Sequence, residues 1–126
     1  MTTLEVGKRL VELCKQDKNM QAVNELYDPN IETIESRGDE KMPRKAKGIE
    51  NVRKKHEWWY ASVETHGGTV DGPFFNGDDR FAVVFSLDIT MKETKKRVPM
   101  KEVAVYTVAG GKIVKEEFFN EAGGQG

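Results

Sequence analysis

The hydrophobic period of this 126-residue chain changes halfway along. Up to about residue 60, apolar residues recur three and four positions apart, which marks one face of a helix. Leu4, Leu10, Val11 and Cys14 share one such stripe, with Thr2 or Thr3 as cap and a predicted end near Gln16. Met20, Val23, Leu26 and Tyr27 make a second, opened by Asp17 or Asn19. Ile49, Val52, His56, Trp59 and Tyr60 make a third, starting near Gly48, and Trp59 is expected to be buried. Later a period of two takes over. Thr69–Asn76 reads as a strand interrupted at Gly72-Pro73. Arg80–Met91 alternates, with Phe81, Val83, Phe85, Leu87 and Ile89 on one face. Val98–Val108 and Lys112–Asn120 form a hairpin about Gly110-Gly111. Helices followed by a meander predict an α+β domain: three N-terminal helices packed on one face of a curved antiparallel sheet. The length predicts one domain over residues 1–121, with a Gly-rich tail at 122–126 expected to be disordered.

One strand interrupts the helical half. In Leu26–Glu35, LYDPNIETIE, the helix is predicted to stop at Tyr27, and Asp28-Pro29-Asn30 to turn the chain. A strand over Asn30–Ser36 then sends Ile31, Thr33 and Glu35 to one side. Glu35 is thus an acid among core-building residues. Apolar walls raise the pKa of a carboxylate and make it a useful base near neutral pH.

Composition narrows the partners. Lysines and arginines number 20 against 21 acids, and the two signs are interleaved, as in EKMPRKAKGIENVRKKHE. No basic surface for nucleic acid is expected. Cys14 is the sole cysteine and lies on an apolar helix stripe, so an inert packed thiol and a reducing compartment are expected. The N-terminal MTTLEVGKRLVEL lacks the apolar run of a signal peptide or membrane helix, so a cytoplasmic protein with no membrane partner is expected. The second histidine, His66, stands in a Gly-rich turn, so no metal cluster is expected.

The two helices, the LYDPNIETIE break, the KGIENVRKKHEWW helix, the FAVVFSLDIT strand and the VAVYTVAGGKIVKEEFFNE hairpin together resemble SnoaL-like proteins. These belong to the nuclear-transport-factor-2-like fold (also termed cystatin-like), shared with ketosteroid isomerase and polyketide cyclases. The resemblance implies a cone-shaped shell with an internal apolar pocket, and homodimers through the sheet. It places Glu35 at the position of the isomerases' general base, and His56 where they carry a tyrosine of the site network. It also sets Glu116, Phe118 and Asn120 on the concave face. The hairpin register stays open by one residue, which would exchange the faces. The ligand-binding candidates are Trp59, Phe85, Glu102, Tyr106, Glu116, Phe118 and Asn120, and the catalytic candidates are Glu35 and His56. Core packing or ordinary ion pairs are the alternative roles for each. The isomerases' oxyanion donors have no counterpart: Leu10, Val11 and Cys14 occupy the first-helix position, and Val103 or Ala104 the late strand. Steroid isomerisation is therefore not expected. The expected function is binding of a small apolar, carbonyl-bearing metabolite, with cofactor-free proton transfer by a carboxylate, as in an isomerase, cyclase or dehydratase. The alternative is a non-catalytic binding or dimerisation module of the same fold.

Overall fold

A computed structural model describes residues 1–120, and the Gly-rich tail lies outside the described residues. The elements run α1 (Thr3–Lys15), α2 (Asn19–Leu26), β1 (Tyr27–Ile34), β2 (Lys45–Lys47), α3 (Ile49–Ser62), β3 (Val63–Asn76), β4 (Arg80–Met91), β5 (Lys96–Ala109) and β6 (Lys112–Asn120). Helix α1 begins on a capping box. The Thr2 hydroxyl accepts from the Glu5 N–H at 3.1 Å, and the Glu5 carboxylate accepts from the Thr2 N–H at 3.0 Å. Neither Asp17 nor Asn19 caps α2; Lys18 holds that position without a side-chain bond.

The chain passes from α2 to β1 without a turn. Asp28, Pro29 and Asn30 lie inside the strand, where the pairing with β6 slips between Tyr27 and Glu32. The Asp28 carboxylate accepts from the Asn30 N–H at 2.8 Å, so the turn-forming residues bend the strand locally. Strand β1 ends at Ile34, so Glu35 stands just beyond it, pinned by its N–H to the Arg44 carbonyl at 2.7 Å. Gly48 adopts φ 98°, a region that favours glycine, and donates its N–H to the Ile31 carbonyl at 2.7 Å. That fixes where α3 starts relative to β1.

The sheet order is β2-β1-β6-β5-β4-β3. Strand β1 runs parallel to β6, and all other neighbours are antiparallel. The register aligns Phe81, Tyr106 and Glu116 in one row, with Thr33 opposite Glu116. The next rows hold Val83, Ala104 and Phe118, then Phe85, Glu102 and Asn120. All face the helices, where Val6, Leu10, Val23, Leu26 and Val52 close the core.

The expected cone with an internal pocket is corrected here. The sheet is open and mixed: β2 and β3 are its two edges and do not pair. Strand length gives the reason. β3 and β5 have 14 residues each, about 45 Å at ~3.3 Å per residue, whereas the 14 residues of α3 span about 21 Å. The helices therefore cover only part of the long strands. α1 packs on β3 and α2, while α3 packs on β1 and α2. A groove of about 660 Å³ is lined by β3–β5 residues that include Gly68, Leu87, Asp88 and Met100. A smaller one, about 210 Å³, lies at the ends of β1 and β6 against Ser36, Arg44, Phe118 and Asn120. Neither groove takes in Glu35, His56, Glu102 or Glu116.

Candidate functional site

Polar side chains gather where α3 crosses the β1–β6–β5 face. Glu116 is fully buried (0% exposed), a costly place for a carboxylate unless donors surround it. Three do. Tyr27 Oη donates to Oε2 at 2.5 Å, Thr33 Oγ1 donates to Oε1 at 2.9 Å, and Lys55 Nζ donates to Oε1 at 3.1 Å. Lys55 also donates to Thr33 Oγ1 at 3.2 Å, and it pairs with Glu35 Oε1 at 2.5 Å. Its ammonium stands 4.2 Å from the Phe118 ring centroid, a cation–π distance. The side chains of Lys55 and Glu35 keep 19% and 27% of their exposure, so the pair marks the boundary between core and solvent.

Burial alone would push the Lys55 ammonium down, but the Glu116 and Glu35 carboxylates outweigh it and hold the pKa above its ordinary value. Lys55 is therefore a cation, not a nucleophile. Tyr27 and Tyr106 are pushed far up, first by burial and then by the Glu116 charge, so both phenols stay protonated. Tyr106 stacks on Phe81 with ring centroids 5.0 Å apart. His56 is lowered by burial and further by Lys55, with Glu116 acting the other way, so its imidazole is neutral at neutral pH.

Glu102 differs from the other two carboxylates. It is half-buried on the helix-facing side between Phe85 and Asn120, and makes no hydrogen bond or ion pair with any described residue. Burial, then the charge of Glu35, raises its pKa from 4.5 to about 7; Lys55 offsets part of this and Glu116 adds to it. The amide of Asn120 donates to Ser36 Oγ at 2.6 Å, at the mouth of the smaller groove.

The structure thus brings Glu35, Phe85, Glu102, Tyr106, Glu116, Phe118 and Asn120 to one face, and closes the register the sequence left open. His56 and Trp59 lie on α3 above it, with Trp59 half-buried rather than buried. No hydrogen bond or ion pair joins His56 to Glu35 among the described residues; Lys55 is the residue paired with Glu35. Lys55, Tyr27 and Thr33 escaped the sequence reading as members of this network. Lys55 falls three residues after Val52 and four before Trp59, on the same helix stripe. That spacing was the available signal, hidden in a basic run that reads as a solvated face. Cys14 is half-buried, and burial pushes its thiol up to about 12, as expected of an inert cysteine.

Among the described residues no cluster of three or more His, Cys, Asp or Glu is placed to hold a metal. No described helix is long and apolar enough to cross a membrane.

The family model of the SnoaL-like domain matches residues 1–120. The chain belongs to the SnoaL-like family. A proposed SnoaL-like polyketide cyclase from Mesorhizobium loti, also described as a carbohydrate phosphatase, is 41% identical with a TM-score of 0.88. That match covers 94% of this chain and 99% of the other. A nuclear-transport-factor-2-like protein from Burkholderia thailandensis shares the fold at 18% identity and a TM-score of 0.79, covering 96% and 92% of the two chains. A proposed isomerase from Bacillus subtilis does so at 14% and 0.76, covering 96% and 90%. No curated protein matches the chain significantly. The SnoaL-like and nuclear-transport-factor-2-like assignment thus rests on family and fold together, and the fold itself hosts many chemistries.

Proposed function

We propose that this SnoaL-like protein binds a small, largely apolar, carbonyl-bearing molecule and moves a proton at the carbon beside the carbonyl. The observation that carries the reading is the row Phe85–Glu102–Asn120. It presents a half-buried carboxyl, without a partner among the described residues, next to an apolar wall and a side-chain amide. Glu102 is the proton acceptor. Its pKa of about 7 leaves much of it ionised at neutral pH yet basic enough to take a proton. Glu35, tied to Lys55, is the second carboxylate of the site, and its charge helps to keep Glu102 basic. The neutral imidazole of His56 serves as a hydrogen-bond partner for the ligand. The apolar part of the ligand rests against Phe85 and Phe118, which flank Glu102 on the helix-facing side. No cofactor is required, because the carbonyl delocalises the charge left by the proton.

The test is proton exchange. A panel of 1,3-diketones and β-keto esters is incubated with the protein in D2O near pH 7.5, and loss of the α-proton signal is followed by ¹H NMR. The wild type is expected to exchange at least one compound faster than buffer, and Glu102→Gln to lose about 100-fold or more. Equal exchange by the two proteins excludes Glu102 as acceptor.

A second reading concerns assembly and is compatible with the first. The outer sheet face aligns Val84, Val103 and Phe119 across three strands, with Phe119 53% exposed. We propose that this row seats a second copy of the chain.

A further inference from the structure

We propose that Lys55 is a positioning residue: seated on Glu116 and Thr33, it holds the Glu35 carboxylate in place beside Glu102. The role assigned to Glu102 is taken from the function proposed above, whereas the tether itself rests on geometry alone.

Three carboxylates share this face, and among the described residues Lys55 pairs with two of them, Glu35 and Glu116. Glu35 comes from the chain just past β1, Glu116 from β6 and Glu102 from β5; Lys55 and His56 come from α3, and Tyr106 from β5 lies at the floor. Glu116 cannot move, because Tyr27 and Thr33 hold both its oxygens in a closed core. That makes it an anchor. Lys55 binds the anchor at 3.1 Å and Thr33 at 3.2 Å, which fixes the far end of a side chain that is otherwise long and free. Phe118, whose ring lies beneath the ammonium, sits one row from Glu102. The lysine head therefore stands over β6, between the β1 side and the β5 side of the face.

Glu35 needs such a tether. It lies beyond the last paired residue of β1, held by one backbone bond to Arg44, and its side chain is bound by Lys55. Without the lysine nothing described would keep its carboxylate on the site rather than in solvent. With it, the negative charge of Glu35 stays close to Glu102, where it is the largest charged contributor to that residue's raised pKa. The alternative is that Lys55 merely neutralises buried Glu116 and Glu35 is placed by its own backbone.

A double-mutant cycle on the substrate-free protein separates these. The Glu102 carboxyl is titrated by ¹³C NMR in wild type, Glu35→Gln, Lys55→Met/Glu116→Gln, and the combination of all three. Removing Glu116 together with Lys55 avoids leaving a buried charge unpaired and so keeps the fold. In the wild-type background Glu35→Gln is expected to lower the Glu102 midpoint by at least about half a pH unit. In the Lys55→Met/Glu116→Gln background the same substitution should lower it less than about half as much. Lys55→Arg, which keeps the charge, should behave as wild type. Equal shifts in both backgrounds, or no shift in either, overturn the proposal. If the double variant does not fold, the same comparison in Lys55→Gln/Glu116→Gln decides it. Because no substrate is present, a protein inactive in proton exchange with this cycle intact would refute the proposed function and leave the tether standing.

Discussion

At the scale of single residues, the site is set by which carboxylates find partners. Among the described residues Glu116 has three donors, Glu35 has one cation, and Glu102 has no hydrogen-bond or ion-pair partner. The last is the costly one, and the cost depends on pH. Its pKa is about 7 in the fold against an ordinary 4.5, so the folded protein holds that proton more tightly than the unfolded chain. The resulting stability is fully present below about 4.5 and is lost as the pH rises through about 7. Glu102→Gln removes this dependence. Relative to wild type, the variant is expected to gain between pH 5 and pH 8, by at most about 3 kcal/mol, since part of Glu102 faces water. Urea unfolding at the two pH values checks it; parallel losses in both proteins would contradict the sign. The residue that organises the cluster, Lys55, was the least legible in the sequence. A lysine within RKKHE reads as solvated, and only the tertiary position of Glu116 beneath it gives it a different role.

At the scale of elements, most of the architecture could be read from periodicity. Helix α1 is an example: of the two candidate caps, Thr2 and Thr3, the structure uses Thr2, in a capping box with Glu5. Thr2→Ala should destabilise the fold by about 1 kcal/mol, with thermal unfolding by circular dichroism as the measure. An unchanged melting temperature would show the cap to be redundant. The final hairpin was legible only up to its register. Gly110-Gly111 permits two alignments, and the irregularity between Thr107 and Val108 selects the one that sends Glu102, Tyr106, Glu116 and Phe118 inward together. The start of β3 was not legible. Val63–Gly68 contains ETHGG, which carries neither apolar alternation nor strand-favouring side chains, yet it pairs with the end of β4. Propensity there is overridden by the partner strand.

At the scale of the whole molecule, that extra length changes the shape. Long strands project past the helices, the edges β2 and β3 stay apart, and an open sheet takes the place of the expected cone. Family likeness implies a closed pocket; here the edges do not pair, and much of β3 and the start of β5 lie exposed beyond the helices. The same open sheet leaves an outer face with Val84, Val103 and Phe119 in line. Phe119→Glu is expected to convert a dimer to a monomer in sedimentation equilibrium without loss of helical signal. A wild type that is already monomeric at all concentrations would remove the proposed interface.

Under the proposed function, the carboxyl of Glu102, on the helix-facing side of this sheet and without a partner among the described residues, accepts a proton from carbon. Solvent-deuterium exchange into carbonyl compounds measures that step without knowledge of the natural substrate. Exchange above buffer is expected with the wild type, and a loss of about 100-fold or more with Glu102→Gln. Exchange of equal rate in the two proteins would contradict it.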